Sequence, residues 1–229
     1  MLNGRLGKIQ SKEFNIMADY RYVNEKEAKD TKNEIINIIH EVQNVVRDDF
    51  TMQYYFVGSC TKNMITYDAD SNIGYDFDVN FDVNDPNKEY TAEEIRTKIF
   101  DALQEVAPRY GYQKIENSTS VITIKQVNYW SDSIDHSCDF AIVNNCSNGQ
   151  QRYIRLNKKH YTYSWVYRGK GFPHQDEKID WLKQNNHWNE VRDLYIEKKN
   201  NNNNPDKHSR SIFAETINQL CDKYGFSVE

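Results

Sequence analysis

A strict alternation of apolar and polar residues over one segment constrains the fold of this chain more than any other feature. The apolar set is Phe77, Val79, Phe81 and Val83, and the polar set is Asp76, Asp78, Asn80 and Asp82. Because successive side chains of a β-strand point to opposite faces, residues 75–83 are predicted to form a strand. One face of this strand is expected to lie in the core, and the other face is strongly acidic.

Helical and strand patterns are mixed along the rest of the chain. Apolar residues between Thr31 and Phe50 recur at helical spacing, and Thr91 with Glu94 forms a capping box that opens a helix ending near Pro108. Strands are also predicted over 54–57, 121–127 and 138–143, a turn over 85–87, and helices over 177–184, 188–199 and 211–224. The order predicts an α+β fold. The predicted divisions are an N-terminal extension over 1–30, an α/β core over 31–172 and a C-terminal helical lobe over 173–229.

The acidic face of this strand is expected to bind a cation. Asp76 and Asp78 stand two residues apart and repel each other, and burial would increase that repulsion. A divalent metal held by carboxylates and bridging to phosphates is the usual solution, and Asp139, at the start of another predicted strand, is the best third ligand. The alternative is that these aspartates form the solvated face of a half-buried strand.

A Gly-Ser pair follows the predicted strand 54–57. Gly58 allows close approach of a phosphate because it lacks a side chain, and the Ser59 hydroxyl can donate a hydrogen bond to it. Together with Asp76, Asp78 and Asp139, the pair forms a pattern that indicates a metal and phosphate site more specifically than any of its parts does alone.

These residues resemble the polymerase-β-like nucleotidyltransferase superfamily. The matching segments are Gly58-Ser59-Cys60-Thr61-Lys62-Asn63, Tyr75-Asp76-Phe77-Asp78-Val79 and Asp139. Residues 76–81 are most similar to the branch that contains cyclic GMP-AMP synthase, oligoadenylate synthase and bacterial enzymes that make cyclic oligonucleotide signals. The resemblance covers roughly residues 30–225. It implies a nucleotidyltransferase-type mixed β-sheet flanked by helices, with a short C-terminal helical lobe.

The resemblance also implies roles for individual residues. Asp76, Asp78 and Asp139 would hold two Mg²⁺ or Mn²⁺ ions, with Asp139 also orienting or deprotonating the acceptor hydroxyl. The residues implied to bind the triphosphate are Gly58, Ser59, Lys62, one of Lys198 and Lys199, and one of Ser209 and Ser211. For the last two pairs a structural role is an equal alternative, since a lysine favours a helix C-terminus and a serine caps a helix.

The implied activity is transfer of a nucleoside monophosphate from a nucleoside triphosphate to a hydroxyl group, with release of pyrophosphate. The acceptor would be a nucleotide, an oligonucleotide or RNA, and the product could be a nucleotide second messenger. Transfer to tRNA, a protein or a small antibiotic is an alternative, and so is a catalytically weak module that binds nucleotide or RNA. The sequence ends at Glu229, before the further helices of the signal-synthesising members, which disfavours a cyclic product.

Residues 151–170 combine basic and aromatic side chains without an acidic residue. The basic residues are Arg152, Arg155, Lys158, Lys159, Arg168 and Lys170, and the aromatic residues include Tyr161, Tyr163, Trp165 and Tyr167. A local charge of this kind attracts polyphosphate or RNA. The aromatic residues are expected either to stack on bases or, as alternate residues of a plain strand, to pack on the core.

Composition and missing motifs exclude other classes of protein. A net charge of −5 disfavours a protein that coats nucleic acid over its whole surface. No apolar run approaches the roughly 20 residues of a membrane span, so no membrane association and a cytoplasmic location are expected. The four cysteines form no zinc spacing and are expected to be reduced thiols. Walker, G-x-G-x-x-G and Ser/His/Asp signatures are absent, and Ile73 and Val79 replace the Gly and Glu of an EF-hand loop that would begin at Asp68.

Overall fold

The computed structural model describes residues 18–85, 87–169 and 171–227. The first 17 residues of the predicted extension, the predicted turn residue Pro86 and the basic residue Lys170 lie outside the described residues. The described strands are β1 (Tyr20–Tyr22), β2 (Thr51–Val57), β3 (Thr66–Asp68), β4 (Ile73–Asn84), β5 (Lys114–Asn117), β6 (Ile122–Asn128), β7 (Ser133–Asn145), β8 (Gln151–Asn157) and β9 (Thr162–Tyr167). The described helices are α1 (Glu25–Val46), α2 (Ala92–Val106), α3 (Gln175–Gln184), α4 (Trp188–Asn200) and α5 (Ser209–Tyr224), with short 3₁₀ turns at Cys60–Lys62 and Ala107–Tyr110.

A mixed seven-stranded sheet forms the centre of the fold. Its strand order is β2-β4-β7-β6-β5, and β8 extends the sheet from the end of β7 and pairs with β9. The pairing of β4 with β7 is parallel, whereas all the other pairs of this sheet are antiparallel. Strands β1 and β3 form a separate antiparallel pair. The α+β class with a nucleotidyltransferase-type mixed sheet, predicted from the sequence, is confirmed.

The apolar face of β4 packs against α1 and α2. Phe77, Val79 and Phe81 are almost fully buried in one cluster with Ile38 of α1 and Ile99 of α2. Removing each such side chain from water contributes roughly 1.5–3 kcal/mol. This packing fixes the side-chain register of β4, because a shift of one residue would place the aspartates in the core. The acidic face is therefore held on the side of the sheet away from these two helices.

The helix boundaries follow capping residues. The side chain of Thr91 accepts a hydrogen bond from the backbone N–H of Glu94, and the Glu94 carboxylate accepts one from the backbone N–H of Thr91. The predicted capping box is therefore confirmed. Helix α1 begins at Glu25, where the Asn24 side chain caps it, rather than at the predicted Thr31. Its first two turns are mostly polar and exposed. Apolar periodicity cannot detect such turns.

The C-terminal helices form a second apolar cluster. Leu182, Val191, Ile217 and Leu220 are nearly inaccessible to solvent within it, and Met64, which follows the Gly58-Ser59 turn, joins them. The Tyr22 hydroxyl donates to the Arg192 carbonyl at 2.7 Å, which links β1 to α4. These helices therefore contact the part of the chain that precedes β4. No helix among the described residues has both the length and the apolar composition that a membrane span requires.

The basic and aromatic stretch folds into the β8–β9 hairpin. Tyr163 and Trp165 pack against the main core, as the strand alternative predicted, whereas Tyr161 and Tyr167 are exposed. Strands β1, β3 and β5 were not predicted, since strands of three or four residues give little alternation.

Gly74 provides a test of the β4–β7 contact. An alanine Cβ at this position would lie 1.9 Å from the backbone carbonyl oxygen of Asp135, so Gly74→Ala is expected to separate the two strands. We expect it to lower the free energy of unfolding by at least about 2 kcal/mol, measured by urea unfolding. The control is Gly169→Ala, where a Cβ would meet no atom within 4 Å. Equal stability of the two variants would contradict this packing.

Candidate active site

Three carboxylates lie on one face of two neighbouring strands. Asp76 and Asp78 project from β4, and the parallel register places Asp78 directly opposite Asp139 of β7. Asp76 is exposed, while Asp78 and Asp139 are partly buried. Asp76 stands two residues before Asp78 on the same face of β4, so the structure places the three predicted carboxylates on one patch of the sheet.

The charges of these groups act on one another. Burial first, and then the charges of Asp139 and Asp76, raise the pKa of Asp78 to about 6, although Arg168 acts to lower it. Burial also raises the pKa of Asp139, with a further contribution from Asp76, while the hydrogen bond from Thr123 opposes this rise. The two partly buried carboxylates therefore stand in a site that disfavours negative charge unless a cation is present.

Two hydroxyl groups donate hydrogen bonds to the carboxylates of Asp76 and Asp139. The Thr123 Oγ1 on β6 donates to Asp139 Oδ1 at 2.5 Å, and the buried Ser137 hydroxyl on β7 donates to Asp76. Each bond ties a carboxylate to a neighbouring strand rather than to another carboxylate. Sequence reasoning did not single out these hydroxyls, whose roles depend on strand register.

Gly58 brings the backbone of the β2–β3 connection onto the carboxylates. Its φ is +70°, a conformation that favours glycine, and a Cβ here would lie 2.5 Å from Asp78 Oδ2. The side chain of Lys62 folds back over the same turn, with Nζ donating to the Gly58 carbonyl oxygen at 3.1 Å. The predicted Gly-Ser corner therefore lies against Asp78.

A cavity of about 430 Å³ joins this corner to the C-terminal helices. The residues that line it are Gly58, Ser59, Lys62, Met64, Thr66, Asp76, Asp78, Tyr195, Lys199, Ser209, Arg210 and Phe213. The lining combines the carboxylates of Asp76 and Asp78 with cations from α4, α5 and the Gly58 turn. The cavity thus matches the volume of small-molecule sites, which usually span roughly 300–1,000 Å³.

Lys199 is a buried cation at this cavity. Its side chain is 8% exposed, and Nζ donates to Thr66 Oγ1 at 2.8 Å and lies 3.8 Å from the centre of the Tyr20 ring. Burial lowers its pKa to about 8, while the charges of Asp68 and Asp76 oppose the shift. A buried lysine without an ion pair is costly, and an anion in the cavity would offset that cost.

The structure places one lysine and one serine of the two predicted C-terminal pairs at the cavity. Lys199 and Ser209 line the cavity, whereas Lys198 and Ser211 do not. Helix α5 begins at Ser209 without a side-chain cap, so the predicted capping role of Ser211 is not seen. Burial also lowers the pKa of Lys62, whose ammonium group lies 5.7 Å from the centre of the Phe213 ring.

Besides Thr123 and Ser137, sequence reasoning assigned no role at this site to four further polar residues. Thr66, Tyr195 and Arg210 line the cavity. Arg168, at the end of the basic stretch, donates to Asn80 Oδ1 at 3.2 Å on the acidic face of β4. Arg168 had a signal through its place in a basic segment without acidic residues, and Arg210 through its position between the two serines of interest.

The donor chemistry fits a divalent metal. Carboxylate oxygens are the ligands that Mg²⁺ and Mn²⁺ prefer, and the Cβ-free corner at Gly58 leaves room beside Asp78. As placed, however, no three acidic, histidine or cysteine side chains of the described residues form a ready-made ligand group. The two-ion site remains a prediction. Asp76, Asp78 and Asp139 are the residues that would hold the ions.

Replacing Lys199 by methionine is expected to stabilise the protein at pH 7. The pKa of Lys199 is about 8 in the folded chain and about 10.5 in the unfolded chain. Burying the charged lysine therefore destabilises the folded state by its full amount below pH 8, and this destabilisation disappears as the pH rises to 10.5. We expect Lys199→Met to raise the free energy of unfolding by up to about 3 kcal/mol at pH 7, with a smaller gain above pH 8. Lys198→Met is the control and should change it by less than about 0.5 kcal/mol. Equal gains, or a loss in Lys199→Met, would contradict this interpretation.

Comparison with known proteins gives matches among solved structures. No protein-family model matches the chain, and no curated protein matches it. The DncV cyclic AMP-GMP synthase of Vibrio cholerae, in complex with the linear intermediate pppA(3′,5′)pG, matches with a TM-score of 0.60 and 11% identity over 90% of this chain and 69% of that chain. The STING-associated CdnE c-di-GMP synthase of Capnocytophaga granulosa matches with a TM-score of 0.58 and 16% identity over 91% and 64%. GTP-bound DncV matches with a TM-score of 0.55 and 15% identity over 91% of this chain and 54% of that chain.

The chain thus spans between 54% and 69% of the length of these solved chains. At identities this low, the similarity concerns the fold. The described chain has the nucleotidyltransferase fold of DncV and CdnE, as the resemblance in its sequence predicted.

Proposed function

We propose that the protein is a metal-dependent nucleotidyltransferase that transfers a nucleoside monophosphate from a nucleoside triphosphate to a hydroxyl group. The observation that carries the proposal is the placement of Asp78 opposite Asp139 and against Gly58, at a cavity that also contains buried Lys199. A cavity lined both by carboxylates and by cations that form no salt bridge among the described residues suits a polyphosphate whose charge is shared between metal and protein. The nucleotide synthases with the same fold support this class of reaction.

The cationic walls of the cavity would hold the triphosphate. Lys62 and Lys199 supply charge, and Ser59 and Ser209 supply hydroxyl donors. Lys199 is fixed by Thr66, so little side-chain entropy is lost when it binds an anion. Charge-assisted hydrogen bonds of this kind are stronger than neutral ones. These residues would orient the β- and γ-phosphates and leave the α-phosphate toward the carboxylates.

The carboxylates would act at the reacting end. The hydroxyl oxygen of the acceptor bonds to the α-phosphorus, the bond from that phosphorus to the β-bridging oxygen breaks, and pyrophosphate leaves with the electron pair. Asp139, on the side of Asp78 away from Gly58, would take the proton of the acceptor hydroxyl. When bound, Mg²⁺ or Mn²⁺ would neutralise the triphosphate and the carboxylates. Positioning and charge neutralisation supply most of the catalysis in such reactions.

Pyrophosphate release tests the proposal. With Mg²⁺ or Mn²⁺ and each of the four ribonucleoside triphosphates, the protein is expected to release pyrophosphate, and Asp76→Asn or Asp78→Asn to reduce the rate at least about 100-fold, which corresponds to about 2.7 kcal/mol. Asp82→Asn is the matched control, because Asp82 shares the acidic face but accepts hydrogen bonds from Asn145 at 2.7 and 3.1 Å. Release that persists in Asp78→Asn would refute the role of this carboxylate. Triphosphate binding without any release would indicate the binding module.

Gly58 provides a second test of the site. Gly58→Ala places a Cβ 2.5 Å from Asp78 Oδ2 and is expected to lower kcat/KM at least about tenfold, since small displacements of reacting groups are costly. Gly149→Ala is the control, because its φ of +77° brings the same backbone strain while a Cβ there meets no atom within 4 Å. Both variants should lose similar stability. A similar loss of activity in both would show that strain, not contact with Asp78, is responsible.

A further inference from the structure

The β8–β9 hairpin carries cations that the fold does not use. Arg155, Lys158 and Lys159 are exposed, and none forms an ion pair with an acidic side chain in the parts of the chain that the structure describes. Residues 151–169 contain no acidic residue. By contrast, Arg152 and Arg168 of the same segment lie over the Trp165 and Tyr153 rings and donate to Asn144 and Asn80.

The three free cations line a cavity of about 630 Å³. The other residues that line it are Thr119, Ser120, Leu156, Asn157, Ser164 and Val166. It thus has hydroxyl and amide donors but no carboxylate. Arginine, lysine and hydroxyl side chains are the groups that contact phosphates in nucleic-acid complexes. The cavity therefore suits a ligand with several phosphates.

This second cavity opens on the same face of the sheet as the carboxylates. Val143 of β7 pairs with Tyr153 of β8, and cross-strand partners share a face. Asp139 lies four residues before Val143, and Arg155 lies two residues after Tyr153, so both are on that face. The edge of the cavity is also close to Asp139, because Ser120, in the turn before β6, precedes the Asp139 partner Thr123 by three residues, which span at most about 10 Å.

An exposed aromatic ring lies beside these cations. Tyr161, in the turn between β8 and β9, is 80% exposed, whereas Tyr163 and Trp165 pack against the core. Lys158 and Lys159 precede it in the same turn. A cationic groove flanked by an exposed aromatic ring is the combination with which proteins bind single strands, since the cations contact the backbone and the ring stacks on a base.

We propose that the groove lined by Arg155, Lys158 and Lys159, with Tyr161 in the turn that follows them, binds a single-stranded nucleic acid, whose terminal 3′-hydroxyl is the acceptor beside Asp139. The acceptor part of this inference rests on the proposed function. The 3′-oxygen forms a bond to the α-phosphorus of the triphosphate, pyrophosphate leaves, and the hydroxyl proton passes to Asp139. The strand becomes one nucleotide longer.

Binding is tested without catalysis. The probe is a fluorescein-labelled ten-nucleotide RNA that lacks the terminal 3′-hydroxyl, followed by fluorescence anisotropy at several salt concentrations. Arg155→Ala/Lys158→Ala/Lys159→Ala is expected to bind at least tenfold more weakly than the unmodified protein. The slope of log K against log salt should fall by about 2, since each phosphate contact on a single strand contributes about 0.7.

The matched control is Lys26→Ala/Lys29→Ala/Arg47→Ala, which removes the same charge from exposed positions of α1 and its C-terminal end. It should bind RNA like the unmodified protein. Tyr161→Ala should weaken binding without changing the salt slope. Equal affinity and slope in the groove variant and the unmodified protein, or no RNA binding by the unmodified protein, would overturn the proposal.

Extension of an RNA with a free 3′-hydroxyl separates the two proposals. With a triphosphate, the groove variant should show a higher KM for RNA and an unchanged kcat, and the product should be one nucleotide longer. If pyrophosphate is released but RNA is neither bound nor extended, the groove proposal fails and the nucleotidyltransferase stands. If RNA binds in the groove but no triphosphate is ever consumed, the acceptor role and the proposed function fail together.

Discussion

Three carboxylates on two adjacent parallel strands repel one another, and this repulsion determines what the site can bind. Asp78 faces Asp139 across the β4–β7 pair, and Asp76 stands one step away on the same face. The opposite face of β4 is anchored in the main core, so the aspartates cannot turn away by a slip of register. The fold thus holds these negative charges close together, and cations bound at the site must offset their repulsion.

The cations that could compensate come from elements outside the β4–β7 pair. Lys199 reaches in from α4 and Lys62 from the turn after Gly58, while Arg168 approaches from β9. Cations and carboxylates are too widely distributed to cancel as ion pairs, since none of these three forms a salt bridge among the described residues. A polyanion accompanied by metal ions is a ligand that satisfies both sides. Arg155, Lys158 and Lys159 of the β8–β9 hairpin also form no salt bridge within the described parts of the chain, and they could contact further phosphates on the same face of the sheet.

The sequence predicted those parts of the structure that follow from local pattern. The alternation around Asp78 and the Thr91 capping box identified β4 and α2 closely. Residues whose position depends on long-range pairing were not found, such as Thr66, which contacts Lys199 across 133 positions of the chain. The choice between Lys198 and Lys199 also needed the structure, because adjacent residues on a helix differ in direction by about 100°. The domain boundaries and the metal ions remain predictions.

The central claim is that the carboxylates and the buried lysine bind one metal-bound triphosphate together. Thermal unfolding of the protein with Mg²⁺, with a nonhydrolysable nucleoside triphosphate, and with both tests it most directly. The account predicts that the rise in Tm with both ligands exceeds the sum of the separate rises, and that Asp78→Asn removes this excess, because a ligand bound only by the folded state stabilises it. Additive shifts, or an excess that persists in Asp78→Asn, would contradict the account.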